Sequence, residues 1–194
     1  MPGDRSRLRG VVLTEDRRTE RFIRHLLVTL GFDKRNFEFK TAPSGGGAGE
    51  AWVLARYPAE VQAFRARSYQ RLCVIAVRDG DAVGVSQRKT ELDDALMTLG
   101  MPPRQATERI GTPVPTWAIE NWLLGLLGNT QVNEARGPTA GQPAKWKEVF
   151  EHDHRCSERD ALKQAADAWP THRSSASALP SLSDGGREFD RLDL

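Results

Sequence analysis

Apolar residues along this chain fall into short runs of two periodicities, and their alternation reads as strand, helix, strand over most of its length. Leu8 to Thr14, with Val11-Val12-Leu13 near its end, suits a buried strand. Arg17 to Leu30 places Phe22, Ile23, Leu26, Leu27 and Leu30 on one helical face, with Gly31 as its stop. Asn36 to Thr41 alternates Phe37 and Phe39 with polar residues and predicts a second strand. A helix is expected from Glu50 to Tyr69, broken or kinked at Pro58. Leu72 to Val77 is the strongest strand, Ser86 to Leu99 a helix stopped by Gly100, Arg109 to Val114 a further strand, and Trp117 to Leu127 a helix stopped by Gly128. Ala144–His152 and Ser157–Trp169 read as helices, Ser174 to Asp184 as irregular chain, and Glu188–Leu192 as a last helical turn.

Strand–helix alternation of this kind predicts an α/β fold with a mostly parallel sheet and helices on both faces. The expectation is a single domain over residues 1–194, with a core at about 8–128 and a helical or irregular C-terminal extension at about 140–194. The five tryptophans fall in helical segments and read as core.

Charge changes this picture little. The formal net charge of +2 is too small to declare a polyanionic partner, although residues 1–40 hold ten Lys/Arg against six Asp/Glu. Arginine outnumbers lysine, which suits bidentate phosphate contacts and equally suits a GC-rich genome. Cys73 and Cys156 make no disulfide framework, the basic start lacks an apolar signal segment, and no apolar run approaches the roughly 20 residues of a membrane span. A cytoplasmic protein is expected.

Candidate chemistry lies where apolar runs end. Val11-Val12-Leu13-Thr14 gives way to Glu15-Asp16 with Glu20 following, Leu72–Val77 gives way after Arg78 to Asp79-Gly80-Asp81, and Glu120 stands among apolar neighbours. In an open α/β sheet the carboxyl ends of strands face the ligand crevice, and carboxylates gathered there repel one another unless a cation intervenes. Hard oxygen ligands select Mg²⁺ or Mn²⁺. Residues i and i+2 of an extended segment lie on one side about 6–7 Å apart, so Asp79 and Asp81 can share an ion; Asp-Gly is also a common turn pair. Asp16 reads equally well as a helix cap, and Glu120 as the partner of Arg78 or Arg109. The glycine loop from Pro43 to Glu50 offers backbone amides ahead of a helix, but has neither P-loop nor dinucleotide spacing, so a plain loop explains it as well. His152-Asp153-His154-Arg155-Cys156 lacks the spacing of a zinc site.

These stretches resemble the Toprim domain of primases, topoisomerases and overcoming-lysogenization-defect (OLD) nucleases. The resemblance rests on Glu15-Asp16-Arg17-Arg18-Thr19-Glu20-Arg21-Phe22, Pro43-Ser44-Gly45, Asp79-Gly80-Asp81, Ile119-Glu120-Asn121-Trp122 and Pro180-Ser181-Leu182. It is closest to small stand-alone Toprim proteins encoded beside SMC-like or ABC-type ATPases in bacterial defence loci. It implies a Mg²⁺- or Mn²⁺-dependent nuclease with Glu15, Asp79 and Asp81 as catalytic ligands and Glu20 and Glu120 toward a second ion. Arg17, Arg18, Arg78, Arg88 and Ser44 would bind phosphates of nucleic acid, DNA before RNA, with an ATPase as partner. Asp16 stands where the OLD pattern has glycine, and Asp16 to Glu20 keeps the family spacing that Glu15 to Glu20 exceeds by one, so either acid can be the first ligand. The alternatives are a catalytically silent Toprim subunit that regulates its ATPase and a receiver-like phosphoacceptor domain, the latter without its expected Lys-Pro.

Overall fold

The computed structural model describes residues 5–43, 49–67, 70–135, 144–153, 156–173 and 179–193. Four parallel strands, β1 (Arg9–Thr14), β2 (Phe37–Thr41), β3 (Leu72–Ala76) and β4 (Ile110–Gly111), form one sheet in the order β2-β1-β3-β4. Side chains alternate across it. Val12, Phe37, Cys73 and Ile75 face a core shared with α1 (Arg17–Thr29), α4 (Ile119–Leu126), α5 (Ala144–Asp153), α6 (Glu158–His172) and α7 (Pro180–Asp190). Leu13, Val74 and Ala76 face the opposite layer, α2 (Gly49–Arg65) and α3 (Val85–Thr98). The fold is therefore α/β, with helices on both faces of a parallel sheet, as the hydrophobic pattern predicts. Among the described residues no helix is long and apolar enough to cross a membrane.

The strand order fixes where a ligand crevice lies. β1 and β3 are neighbours, yet the helices that follow them, α1 and α3, leave to opposite faces of the sheet. Their carboxyl ends flank the topological switch point, where open α/β sheets form a cleft. Glu15 and Asp79 follow those two ends.

Three local expectations are corrected. Helix α2 runs unbroken through Pro58 to Arg65 and stops short of Tyr69, which lies outside the described residues. An internal proline costs about 3 kcal/mol, but Val53, Tyr57 and Val61 on either side are fully buried and hold the helix together. The last strand pairs over only two residues, because the Thr112 amide turns to the Glu188 carboxylate at 3.0 Å. Residues 180–184 are helical: α7 starts at Pro180, in the helix N-terminal position that proline suits, and continues through Gly185 and Gly186. Glycine is a poor helix former, which hides the helix from the sequence. Here it permits close packing, since a Cβ on Gly185 would stand 2.5 Å from the Trp122 ring. Trp122, Trp169 and Phe189 meet edge-on in that core, with centroids 5.2 and 5.7 Å apart.

Glu188 fastens α7 to the sheet. Its carboxylate accepts from Arg104, from Lys89 at 2.7 Å and from the Thr112 amide. Burial alone would raise its pKa, but these donors outweigh burial and hold it at about 2. A depressed carboxylate stabilises the fold fully above its ordinary pKa of 4.5 and loses that contribution as pH falls toward about 2. The loss is on the order of 3 kcal/mol. Acid denaturation followed by circular dichroism should show this limb in the wild type, and Glu188→Gln should remove it while lowering neutral-pH stability. An unchanged acid limb in the variant would assign the transition to other carboxylates.

Candidate functional site

At the switch point, Asp79 lies within electrostatic reach of Glu15, Asp16, Asp81 and Glu120. Asp79 is half-buried, and its Oδ1 accepts the amide of Ile119, the first residue of α4, at 3.0 Å. Its pKa is pushed well above the carboxylate range, by burial first and then by the charges of Glu15, Glu120, Asp16 and Asp81. Glu15 is pushed up to about 7, chiefly by burial and against the pull of Arg78. The Glu15 Oε1 atom is buried and accepts no hydrogen bond, and the nearest guanidinium nitrogen, Arg78 Nε, stands 3.6 Å away. Helix α2 begins hard against it: a Cβ on Gly49 would approach the Glu15 carbonyl oxygen to 2.7 Å, so only glycine fits there.

Asp81 does not continue an extended strand from Asp79. It adopts a left-handed backbone with φ 44° and bridges to Trp117, itself at φ 65°, through the Asp81 amide and Trp117 carbonyl at 2.8 Å. Left-handed conformations are uncommon outside glycine, and for a bulky tryptophan costly, so two facing each other mark a locally strained corner. The turn directs Asp81 Oδ2 to Arg88 Nη2 at 2.9 Å. Burial raises the Asp81 pKa despite this partner.

The other predicted residues divide sharply. Glu120 is buried, and its partner is Arg18 at 2.5 Å rather than Arg78 or Arg109. Arg18 also reaches Glu151 and Glu158 and lies over the Phe150 ring, so this guanidinium ties α1 to α4, α5 and α6. Glu20 turns away toward β2, accepting from Thr41 at 2.7 Å and Arg24 at 2.8 Å; burial would raise its pKa, but these bonds hold it low. Arg78 is wholly buried among Glu15, Glu50 and Glu91, and Arg88 is 3% exposed between Asp81, Glu50 and Glu91. Arg17 alone of the predicted arginines is exposed; with Glu20, Arg21 and Thr41 it lines a cleft of about 390 Å³ beside the acid centre. Ser44 lies outside the described residues.

Asp16 is a helix cap, its carboxylate accepting the Thr19 amide at 2.8 Å. Asp16→Ala should therefore cost about 1 kcal/mol of stability, read as a lower melting temperature, with little change in any activity.

Sequence reasoning missed Glu50 and Glu91, which compensate Arg78 and Arg88. Only Glu91 left a trace, three residues after Arg88 on one helix, a spacing that places the two on the same face.

Chemically, Glu15 and Asp79 offer hard oxygen donors, and the buried Glu15 oxygen, which accepts no hydrogen bond and has Arg78 3.6 Å away, fits a hard divalent cation. Among the described residues no three His, Cys, Asp or Glu side chains are already drawn together around one ion position. Asp81 is held by Arg88 and Glu120 by Arg18, so closing a ligand set requires Asp81 to exchange that arginine for the ion. Comparison with protein-family models, with curated proteins and with solved structures found no match.

Proposed function

We propose that this chain is a metal-dependent phosphodiesterase that cleaves nucleic acid in the cytoplasm, DNA more readily than RNA. The observation that carries the reading is the pair Glu15 and Asp79, two carboxyl groups with raised pKa values at the switch point of the sheet. Such a pair is unfavourable for folding and is relieved by a cation. Glu15 and Asp79 would hold Mg²⁺ or Mn²⁺, with Asp81 joining on release from Arg88. A bound ion supplies a Lewis acid for the phosphoryl oxygen and a water acidified toward neutrality. Arg17, exposed on the rim of the adjoining cleft, is placed to hold a flanking phosphate, and backbone phosphates are positioned this way without base reading. The resemblance to defence-locus Toprim proteins adds an SMC-like or ABC-type ATPase as partner.

A second reading is favoured by Arg88 and Arg18. Both already neutralise acids of the cluster, as expected of a silent subunit that regulates its ATPase. Calorimetry with Mn²⁺, together with plasmid and RNA cleavage in Mg²⁺ and Mn²⁺, separates the two. Saturable binding and metal-dependent cleavage, with the co-purified ATPase added, support the nuclease. No heat at millimolar Mn²⁺ and no cleavage under any of these conditions would leave the silent subunit.

A further inference from the structure

The amino ends of the strands, opposite the acid centre, carry a different charge pattern. Register sets Arg9 beside Leu72, and the Arg9 amide donates to the Arg71 carbonyl at 3.1 Å. Arg9, Arg35, Lys40 and Arg67, with Phe37 and Phe64, line a cleft of about 520 Å³ whose only acidic lining residues, among the described residues, are Glu38 and Glu60. Both acids are already engaged: Glu60 by Lys40 and Arg56 at 3.0 Å each, Glu38 by Lys40 at 3.5 Å. Arg35 leans on Asp33 at 2.9 Å. Arg9, Arg67 and the adjacent Arg71 are exposed and form no ion pair with any described carboxylate. Arg18, Arg65, Arg78, Arg88 and Arg104 are all paired. Positive charge that no described carboxylate compensates therefore stands at this cleft.

We propose that the amino-end cleft binds the phosphate backbone of single-stranded nucleic acid, at a site separate from the acid centre. Guanidinium groups match phosphate oxygens in geometry as well as charge. The partly buried Phe64 among them adds an aromatic surface on which a base can stack, a feature that an acidic peptide would leave unused. The site is concave, which admits a flexible strand and excludes the convex side of a duplex. The six residues of β1 separate it from the acid centre by about 20 Å. Binding at the amino end is therefore independent of any cleavage at the carboxyl end.

The test is fluorescence anisotropy of a fluorescein-labelled oligothymidylate, titrated with protein over a series of salt concentrations in EDTA. Wild type should bind with a steep salt dependence. Arg9→Gln combined with Arg67→Gln should weaken binding about tenfold and flatten the slope of log K against log salt by about 1.4, since each single-strand phosphate contact contributes about 0.7. Arg71→Gln alone should act in the same direction. Arg159→Gln with Lys163→Gln, on the exposed surface of α6, changes net charge equally and should leave binding as it is. Equal weakening by the two double variants, or no binding by wild type at low salt, overturns the proposal. Displacement of the oligonucleotide by polyglutamate at equal charge concentration would reassign the cleft to an acidic protein.

Discussion

Asp79→Asn is expected to abolish metal binding and strand cleavage while leaving the metal-free protein at least as stable as the wild type. The asparagine side-chain oxygen can still accept the Ile119 amide that Asp79 accepts at 3.0 Å, so the start of α4 keeps its partner. What disappears is a charge set among Glu15, Asp16, Asp81 and Glu120. Like charges in a partly buried cluster destabilise the folded state, so apo stability should hold or rise. Wild type should gain thermal stability with Mn²⁺ because the ion binds only the folded cluster; the variant should not. Cleavage should fall by at least about 10²-fold, the scale of losing one preorganised electrostatic stabiliser. Wild-type cleavage by Asp79→Asn would remove this residue from the active site, and a lower apo melting temperature would make it structural instead.

Arg78→Met should be the most destabilising single change at this end of the sheet, by about 3–5 kcal/mol, the usual penalty for stripping one partner from a buried charge cluster. Arg78 has no exposed side-chain surface and stands 3.6 Å from Glu15, 3.3 Å from Glu50 and 2.9 Å from Glu91. Glu50 is half-exposed, so solvent screens its share. Glu15 and Glu91 lose their main compensating charge. Urea unfolding should show the loss as a lower midpoint at constant slope, partly recovered by adding Glu91→Gln. A midpoint within about 1 kcal/mol of wild type would mean that Arg88 alone compensates the cluster.

The sheet and α1 were legible because their burial follows simple periods: two faces alternate along β1 and β3, and Phe22, Ile23, Leu26 and Leu27 mark one side of a helix. The acids at the ends of β1 and β3 were legible for the same reason, since an apolar run that stops at a carboxylate locates a strand tip. The arginine partners were not. Arg88 meets Asp81 across a left-handed turn, and Arg18 meets Glu120 across 102 positions of chain. No local pattern encodes either contact. Helix α7 was hidden because its glycines serve packing against Trp122 rather than helix propensity.

The Glu188 contact to Thr112 bears on how the chain folds during synthesis. The short β4 has its outer side closed by α7, some 70 residues later in the chain: the Thr112 amide finds its acceptor in Glu188, and a Cβ on Gly111 would meet the Glu188 carbonyl oxygen at 2.9 Å. Until residues 180–190 have left the ribosome, that side of the sheet presents unpaired backbone groups, the kind of edge along which nascent chains associate. The opposite edge, β2, guards itself locally with Glu38 and Lys40. This edge of the sheet thus stays open to misassembly until α7 is available to close it, and slow decoding of the α7 segment would lengthen that interval.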